Sequence, residues 1–301
     1  MDVLAGMRLF ARVVETGGFT VVARETGTSQ PTISRTIAAL EAHLGVRLLN
    51  RSSRAVTLTD DGRQFYERAR DALDAVAEAE GSVGRRRGRP GGLLRLGTPV
   101  AFGRLHVAPR IPAFLDRHPD VEIELVMNDA FVDLVGEGLD LAIRVGDLAD
   151  PSLIARRIGT TRRVTVASSS YLDRRGIPAT PSELARHDCV IYTRLATGNH
   201  WHFESSGGPV QVDVHGRFRA DNSEAVREAV IGGAGIAVMP VWLFTDEIER
   251  RLVRIILERF EPTQLPIHAV YPSRRLLAAK VRAMIDFLAA EFAAVRLLSA
   301  D

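Results

Sequence analysis

Apolar positions near the start of the chain recur at steps of three and four residues, which is the spacing of one helix face. The first series predicts a helix that ends near a glycine pair at 17–18, and its members are Leu4, Met7, Phe10, Ala11 and Val14. A second, shorter helix is predicted from Thr20, assigned as its N-cap, to Glu25, with Gly27 as its stop.

The segment 27–45 predicts the helix around which the N-terminal part is organised. Ser29 is placed to cap its N-terminus, Pro31 falls in the first turn, and Gly45 supplies the left-handed stop. One face is apolar, with Ile33, Ile37, Leu40 and Leu44 at helical spacing. The opposite face carries short or hydrogen-bonding side chains at the leading end, namely Gln30, Thr32, Ser34, Arg35 and Thr36. This pattern indicates a helix that is buried on one side and available for contact on the other.

A turn at 26–28 joins the second and third helices, and its glycine is typical of a helix-turn-helix unit. The second helix of such a unit lies in the DNA major groove, where its early residues contact base edges. Strand-like residues around a polar tip at 50–54 predict a two-stranded wing whose arginines contact flanking phosphates. The alternative for this tip is a solvated hairpin turn. The predicted DNA contacts are Thr28, Ser29, Gln30, Pro31, Thr32, Ser34, Arg35, Arg51, Ser53 and Arg54.

A long helix is predicted to start at 59–62, with acidic residues at its positive end. Its apolar positions step 4-3-4-3-4 from Phe65 to Val83, which is the spacing of a coiled-coil seam. We predict that the same helix of a second copy covers this seam and places two DNA-binding heads side by side. Packing on the chain's own body is the alternative. The predicted dimerisation residues are Phe65, Ala69, Ala72, Val76 and Val83, followed by a glycine- and arginine-rich hinge at 81–92.

From residue 93 onward the pattern changes to alternating strands and helices. Strands are predicted at 93–99, 121–127 and 139–146, with helices at 102–117 and 132–137 between them. This order is typical of a parallel sheet, which binds ligands at the carboxyl ends of its strands. A second unit opens at 162–172, and it continues with strands between 189 and 240 around a helix at 222–231. A strand at 267–273 and a final helix at 274–297 close the chain.

Composition narrows the class of protein. The chain of 301 residues is 46% apolar and 25% charged, which is ordinary for a folded protein of two or three compact units. No apolar run reaches the length of a membrane helix and no secretion signal is recognised, so we expect a cytoplasmic protein. The single cysteine, Cys189, excludes an internal disulfide framework and is predicted to be a small buried hydrophobe.

The sequence predicts neither a catalytic set nor a metal site. His200 and His202 project from one face of a strand, but no third ligand lies near them in sequence. Trp201 between them is predicted as core or as the wall of a pocket. No Ser-His-Asp or paired-carboxylate arrangement can be argued, so we expect no enzyme activity and no cofactor.

The run from 19 to 62 resembles the winged helix-turn-helix of LysR-type transcriptional regulators. Its spacing is ungapped, and the matching residues are Phe19, Thr20, Ala23, Arg24, Ser29, Gln30, Pro31, Ser34, Arg35, Leu40, Glu41, Leu44, Gly45, Leu48, Arg51, Val56, Leu58, Thr59 and Gly62. Two departures are apolar exchanges: Val21 and Val22 replace the family's usual small pair, and Leu49 replaces the usual phenylalanine before the wing.

The resemblance implies a multidomain α and α/β protein. A winged helix-turn-helix would occupy 1–58, a dimerisation helix and hinge 59–91, and a two-lobed, periplasmic-binding-protein-like effector domain 92–301. Lobe I would comprise 92–163 and 268–301, and lobe II would comprise 164–267. The implied partners are double-stranded DNA, a small-molecule effector, further copies of the chain in a dimer or tetramer, and RNA polymerase.

In that architecture the effector lies between the lobes, and its binding changes their closure. Free backbone N–H groups after the first strand of the domain would suit an anion. The expected effector contacts are Thr98, Pro99, Val100, Ala101, Asn128, Asp129, Phe131, Arg144, Gly146, Asn222 and Ser223. The alternative for each is a structural role such as a helix cap. The rival class for the whole chain is a small-molecule binding protein or enzyme with a vestigial DNA-binding head.

Overall fold

The computed structural model of the protein describes residues 2–51, 56–81, 89–130, 134, 137–148, 154–195, 197–205, 207–272 and 277–299. The chain divides into two compact units, Met1–Arg89 and Pro90–Asp301, and each unit has its own hydrophobic core. Within the described residues, no helix is long and apolar enough to cross a lipid bilayer.

Three helices open the N-terminal unit: α1 (Val3–Thr16), α2 (Phe19–Glu25) and α3 (Gln30–Leu44). As predicted, α1 and α3 end at glycines with a left-handed backbone, Gly17 with a φ of 70° and Gly45 with a φ of 74°. The predicted N-cap of α2 is wrong. Gly18 holds the cap position with an extended backbone, and Thr20 lies inside the first turn because Phe19, which packs on the core, is already helical.

A short antiparallel hairpin follows α3 and forms the two strands of the predicted wing, β1 (Leu49–Arg51) and β2 (Val56–Leu58). The Glu41 carboxylate holds the start of this hairpin against α3. It accepts hydrogen bonds from the backbone N–H groups of Leu48 at 2.8 Å and Leu49 at 3.1 Å. The predicted wing tip lies largely outside the described residues, since these omit 52–55.

The long helix α4 (Asp60–Gly81) begins where the sequence predicts it. The Thr59 hydroxyl caps the helix by accepting a hydrogen bond from the Gly62 N–H at 2.8 Å. Only glycine fits at position 62 without a steric clash, because a Cβ atom there would lie 1.9 Å from the carbonyl oxygen of Leu48. The hairpin and the long helix are therefore joined by a close backbone approach.

The first half of α4 packs on the chain's own body. The Phe65 ring lies 5.6 Å from the Phe10 ring of α1, Ala69 is buried, and Leu73 packs against the same core. Phe65 and Ala69 thus pack within the chain's own N-terminal unit, and their predicted role in a seam with a second copy stays a prediction. Phe65 and Ala69 are four residues apart, so they lie on one face of α4.

The second half of α4 lies beyond that core. Ala72 and Ala79 are exposed and Val76 is half-buried, so this stretch leaves part of the predicted seam accessible. Val83, the last predicted dimerisation residue, lies outside the described residues, as does most of the hinge.

The first lobe of the C-terminal unit is built on a five-stranded sheet. Its strands are β3 (Gly92–Thr98), β4 (Val121–Met127), β5 (Leu141–Val145), β6 (Ile154–Thr161) and β15 (Leu265–Tyr271), in the order β4-β3-β5-β15-β6. The strand β3 is parallel to β4 and β5, which confirms the predicted parallel arrangement. The returning strand β15 is antiparallel to β5 and β6, and it begins at Leu265, before the strand predicted at 267–273.

The segment 100–117 is helical, but it is not one regular helix as predicted. It runs through α5 (Val100–Phe102), a π-helical turn (Gly103–Val107), a 3-10 turn (Ala108–Arg110) and α6 (Ile111–Arg117). Pro109 and Pro112 lack the N–H group that a regular ladder requires, so the hydrogen-bond pattern changes along the segment. The predicted helix at 132–137 lies mostly outside the described residues.

The second lobe comprises β7 (Arg163–Ser168), α7 (Ser169–Arg175), β8 (Val190–Tyr192), β9 (His200–Glu204), β10 (Val210–Asp213), β11 (Phe218–Ala220), α8 (Ser223–Ile231), β12 (Ala237–Pro240), α9 (Thr245–Glu249), β13 (Val253–Ile256) and β14 (Glu261–Pro262). The strand β7 lies between β12 and β13, β8 pairs in parallel with β11, and β9 lies between β10 and β14. The last helix, α10 (Ala279–Ala293), is shorter than the predicted 274–297, because Ala278 is still extended with a ψ of 142°.

A buried ion pair links α10 to the sheet of lobe I. The Lys280 ammonium lies 3.3 Å from the Asp140 carboxylate and donates a hydrogen bond to the Leu93 carbonyl at 2.5 Å. Asp140 also accepts a hydrogen bond from the Arg95 backbone N–H at 3.0 Å. Only 7% of the Lys280 side chain and 2% of the Asp140 side chain are exposed, so neither charge is well hydrated.

We predict that Lys280→Met lowers the unfolding free energy of the C-terminal unit by about 3 kcal/mol, because Asp140 loses its buried counter-charge. Both tryptophans, Trp201 and Trp242, belong to that unit, so urea unfolding followed by tryptophan fluorescence measures it selectively. The exposed Arg282→Met on the same helix is the control and should cost less than ~0.5 kcal/mol. Equal stability of the two variants would contradict this account of the ion pair.

Candidate nucleic-acid interface and interlobe cleft

Hydrogen bonds at the N-cap hold the leading end of α3. The Ser29 hydroxyl accepts a hydrogen bond from the Thr32 backbone N–H at 3.4 Å and lies 2.8 Å from the Thr32 hydroxyl. The preceding turn is held by a 3.0 Å contact between the hydroxyls of Thr26 and Thr28. The turn and the first helical residues therefore have a defined conformation before any partner binds.

Burial of one face of α3 decides which of its side chains face outward. Ile33, Ile37 and Leu40 are at most 1% exposed. On the other side, Ser34 is half-buried, and the exposed predicted contacts are Thr28, Ser29, Gln30, Pro31, Thr32 and Arg35. In the wing, Arg51 lies in β1, whereas Ser53 and Arg54 lie outside the described residues. The start of α3 thus presents a polar surface with one guanidinium.

The two lobes of the C-terminal unit are joined by a shared carboxylate. Asp129, which follows β4 in lobe I, accepts hydrogen bonds from the Val100 backbone N–H at 2.9 Å and from the Asn222 side-chain amide at 2.6 Å. Asn222 belongs to lobe II, where its oxygen caps α8 by accepting a hydrogen bond from the Ala225 N–H at 3.0 Å. Arg104 and Glu224 make a second link, an ion pair of 2.8 Å between the lobes.

These contacts correct one expectation about the effector site. The N–H group of Val100 is not free to bind an anion, because Asp129 already supplies one. Thr98 is buried, and its hydroxyl lies so near Gly103 that a Cβ atom there would be 2.1 Å away. Ala101 is also buried. Thr98 and Ala101 stay predicted effector contacts.

The remaining predicted effector contacts are spread along the strand ends. Asn128 is exposed, and its side chain accepts a hydrogen bond from the Ala130 N–H at 2.9 Å. Arg144 is half-buried and donates to the Ala130 carbonyl at 3.3 Å, and burial lowers its pKa. Gly146 has a φ of 114° and donates to the Pro266 carbonyl at 2.9 Å. Phe131 lies outside the described residues.

A cleft lies between the lobes, and the space among its lining residues, open solvent included, is roughly 510 Å³. Two of the predicted residues, Pro99 and Ser223, line it. The described residues that line it are Pro99, Phe102, Val145, Arg163, Tyr192, Leu195, Ser223, Val238, Met239, Pro240, Trp242 and Leu265. Most of this wall was not predicted, because its members come from strand ends and short helical segments that are far apart in the chain.

Arg163 is the one charged residue among the described residues that line the cavity. It is 9% exposed, its Nε donates a hydrogen bond to the Thr263 carbonyl at 2.7 Å, and burial lowers its pKa to about 10. Burial also raises the pKa of Tyr192, so that side chain is a neutral phenol at physiological pH. The cavity is thus apolar, with hydroxyl groups and one guanidinium.

His106 lies between aromatic rings of both lobes. Its ring centre is 5.1 Å from that of Phe102 in lobe I and 5.0 Å from that of Trp242 in lobe II. Burial, together with the charge of Arg110, lowers the pKa of His106 to about 4. The imidazole is therefore neutral at physiological pH.

Cys189 is 1% exposed, which confirms that it is a buried hydrophobe, and burial raises its pKa to about 12. Trp201 is a core residue, as predicted. The His200 imidazole hydrogen-bonds with the Asp213 carboxylate on the neighbouring strand. Within the described ranges, no group of three His, Cys, Asp or Glu residues could hold a metal ion.

Comparison with known families identifies both units. Residues 4–63 match the bacterial regulatory helix-turn-helix protein, lysR family, and residues 87–293 match the LysR substrate binding domain. The chain belongs to the LysR family. It is a LysR-type transcriptional regulator, with a DNA-binding helix-turn-helix followed by an effector-binding domain.

Relatives of this LysR-type chain match it over nearly its full length. The transcriptional regulator PtxR of Pseudomonas aeruginosa is 38% identical over 93% of this chain and 89% of its own. DmlR of Escherichia coli is 35% identical over 97% of this chain and 95% of its own. The structure of CrgA from Neisseria meningitidis superposes with a TM-score of 0.60 at 30% identity, covering 95% of this chain and 98% of that one. The full-length structure of the virulence activator AphB from Vibrio cholerae superposes with a TM-score of 0.58 at 32% identity, covering 96% of this chain and 99% of that one.

The buried His106 predicts a pH dependence of stability in this LysR-type effector domain. Between pH 6.5 and 4 the unfolded chain takes up a proton that the folded imidazole excludes, so stability falls as the pH decreases. From pH 7 to 5 we expect His106 to contribute a loss of about 2 kcal/mol in unfolding free energy. Urea titrations at both pH values should show a smaller decrease for His106→Gln, whereas the exposed control His215→Gln keeps the wild-type dependence. An unchanged dependence in His106→Gln would rule out this role.

Proposed function

We propose that this regulator recognises its operator with the leading residues of α3, inserted in the major groove of double-stranded DNA. The supporting observation is that Ile33, Ile37 and Leu40 bury one side of the helix, which leaves the capped, polar start exposed on the other. Gln30 and Arg35 carry the side chains suited to base edges, since glutamine pairs with adenine and arginine with guanine. The proposed wing contacts to phosphate, from Arg51, Ser53 and Arg54, add affinity with little sequence choice.

We infer that a small-molecule effector binds between the lobes and changes their closure. The cavity is lined by both lobes, and the Asp129–Asn222 hydrogen bond and the Arg104–Glu224 ion pair cross between them. A ligand that alters the spacing of the lobes must stretch or replace these contacts, so its binding energy is coupled to the interlobe geometry. Of the predicted contacts, Pro99 and Ser223 are the best supported.

The proposed working form is a cytoplasmic homo-oligomer, a dimer or a tetramer, that contacts RNA polymerase at the promoter. The accessible part of the α4 seam, with Ala72, Val76 and Ala79, favours helix pairing between copies. We propose the functional division as 1–58 for DNA binding, 59–91 for pairing and hinge, and 92–301 for effector binding. Regulation without catalysis fits the family and the regulator names of its relatives.

Operator binding tests the assignment of the DNA-contacting face. We predict that Arg35→Ala weakens binding to the protein's own promoter region by roughly ten- to a hundredfold, and Gln30→Ala by less, because each removes a contact to a base edge. The measurement is a mobility-shift titration at fixed salt concentration, with circular dichroism to verify folding. His43→Ala, exposed at the far end of α3, is the matched control and should bind as the wild type does. Wild-type affinity in both test variants would show that this face does not contact the bases.

A further inference from the structure

The interlobe cavity has an uneven distribution of charge and apolar surface. Phe102, Met239 and Trp242 give it broad apolar walls, and Tyr192 and Ser223 add neutral hydroxyls. Arg163 contributes the one positive charge among the described residues that line it. An occupant must therefore be mostly apolar to match the walls, and it meets one guanidinium.

Arg163 has no counter-ion within the part of the chain that the structure describes. Its Nε is held by the Thr263 carbonyl, but no carboxylate lies within ion-pair distance of its guanidinium. The exposed Asp147 acts on it only from farther away, and burial lowers the pKa of Arg163 to about 10. A buried charge without a partner is costly, and an anion bound beside it would offset that cost.

Other arginines of the same domain show the contrast. The neighbouring Arg162 pairs with Glu261 although it is exposed, and Arg104 pairs with Glu224 across the lobes. Arg163 is more buried than either of them, yet it lines a cavity. A guanidinium presents two parallel N–H donors that match a carboxylate.

We propose that this cavity binds a small monocarboxylate with an apolar body, and that its carboxylate pairs with Arg163. The proposal rests on the proposed function, namely that the effector binds between the lobes. The single guanidinium can neutralise one carboxylate of the ligand. A second carboxylate on the same ligand would lie against the apolar walls, desolvated and without a partner. The start of α5 is a poor alternative for the same anion, because Asp129 already occupies the Val100 N–H.

The position of Arg163 also couples the ligand to lobe closure. The chain crosses between the lobes once before β7, whose first residue is Arg163, and once between β14 and β15, where Thr263 lies. The hydrogen bond between Arg163 and Thr263 therefore ties the two crossings together. A carboxylate that forms an ion pair with the Arg163 guanidinium would therefore bind next to the two crossing segments, which is where the lobes would hinge.

Calorimetric titration of the full-length protein tests this proposal with matched acids and amides. The probes are benzoate, phenylacetate and 2-methylpropanoate, each compared with its own neutral amide. At least one acid should bind tenfold or more tightly than its amide. In Arg163→Gln that affinity should fall roughly ten- to a hundredfold, because a charged hydrogen-bonded pair is lost. Arg162→Gln, an exposed change one residue away, should leave it unchanged.

Each outcome decides the matter. The proposal is overturned if no acid binds better than its amide, or if Arg163→Gln keeps the preference for acids. Tryptophan fluorescence checks that the variant is folded, and Arg163→Lys, which retains the charge, should keep a weaker preference for the acid.

Footprinting on promoter DNA distinguishes failure of the carboxylate site from failure of the cleft's regulatory role. An acid that binds through Arg163 without altering the footprint would support the carboxylate site and contradict the regulatory role of the cleft. Amides that alter the footprint as strongly as acids do would support that role and overturn the carboxylate site.

Discussion

The burial of one face of α3 is the constraint on which the N-terminal unit depends. Ile33, Ile37 and Leu40 are packed against neighbouring elements, so the helix cannot rotate without exposing apolar surface worth about 1.5–3 kcal/mol for each side chain. The remaining contacts of this unit secure that arrangement. Ser29 and Gly45 fix the two ends of the helix, and Glu41 ties it to the hairpin. A polar surface able to contact DNA is the consequence of a well-packed core beneath it.

The two charged groups at the cleft of the C-terminal unit differ in how their hydrogen bonds are satisfied. The Asp129 carboxylate is satisfied by donors from both lobes, the Val100 N–H and the Asn222 amide. The Arg163 guanidinium has one backbone acceptor, the Thr263 carbonyl, and Arg163 lines the cavity. A satisfied charge holds the lobes in their present spacing, whereas an unsatisfied one favours a ligand. The same cleft therefore contains a contact that links the two lobes and the group that we propose as the ligand's partner.

Local signals in the sequence predicted the N-terminal helices well. The caps and stops of α3 depend on residues within one turn of each end, so Ser29, Pro31 and Gly45 suffice to place it. The same kind of local signal gave the wrong N-cap for α2: Thr20 was predicted as the cap, but Phe19 is already helical and Gly18 holds the cap position. There the burial of an aromatic ring, a tertiary effect, outweighed the local preference.

The cleft could be located from the sequence only as a region. Pairings such as Asp129 with Asn222, or Arg163 with Thr263, join residues about a hundred positions apart, and no spacing rule indicates them. The seam of α4 shows a related limit. Its 4-3 spacing marks an apolar face, but the spacing does not specify whether a second copy or the chain's own helix covers it, and Phe65 packs on α1. Periodicity identifies buried faces, and the three-dimensional fold determines their partners.

The central claim, that the exposed start of α3 recognises DNA in the major groove, is tested most directly by dimethyl sulfate interference on the protein's own promoter. The reagent methylates guanine at N7 in the major groove and adenine at N3 in the minor groove, so one experiment distinguishes the two. We predict that N7 methylation of guanines in two-fold-related half-sites blocks binding, and that Arg35→Ala removes this interference at one guanine in each half-site. Interference confined to adenine N3 would contradict the account.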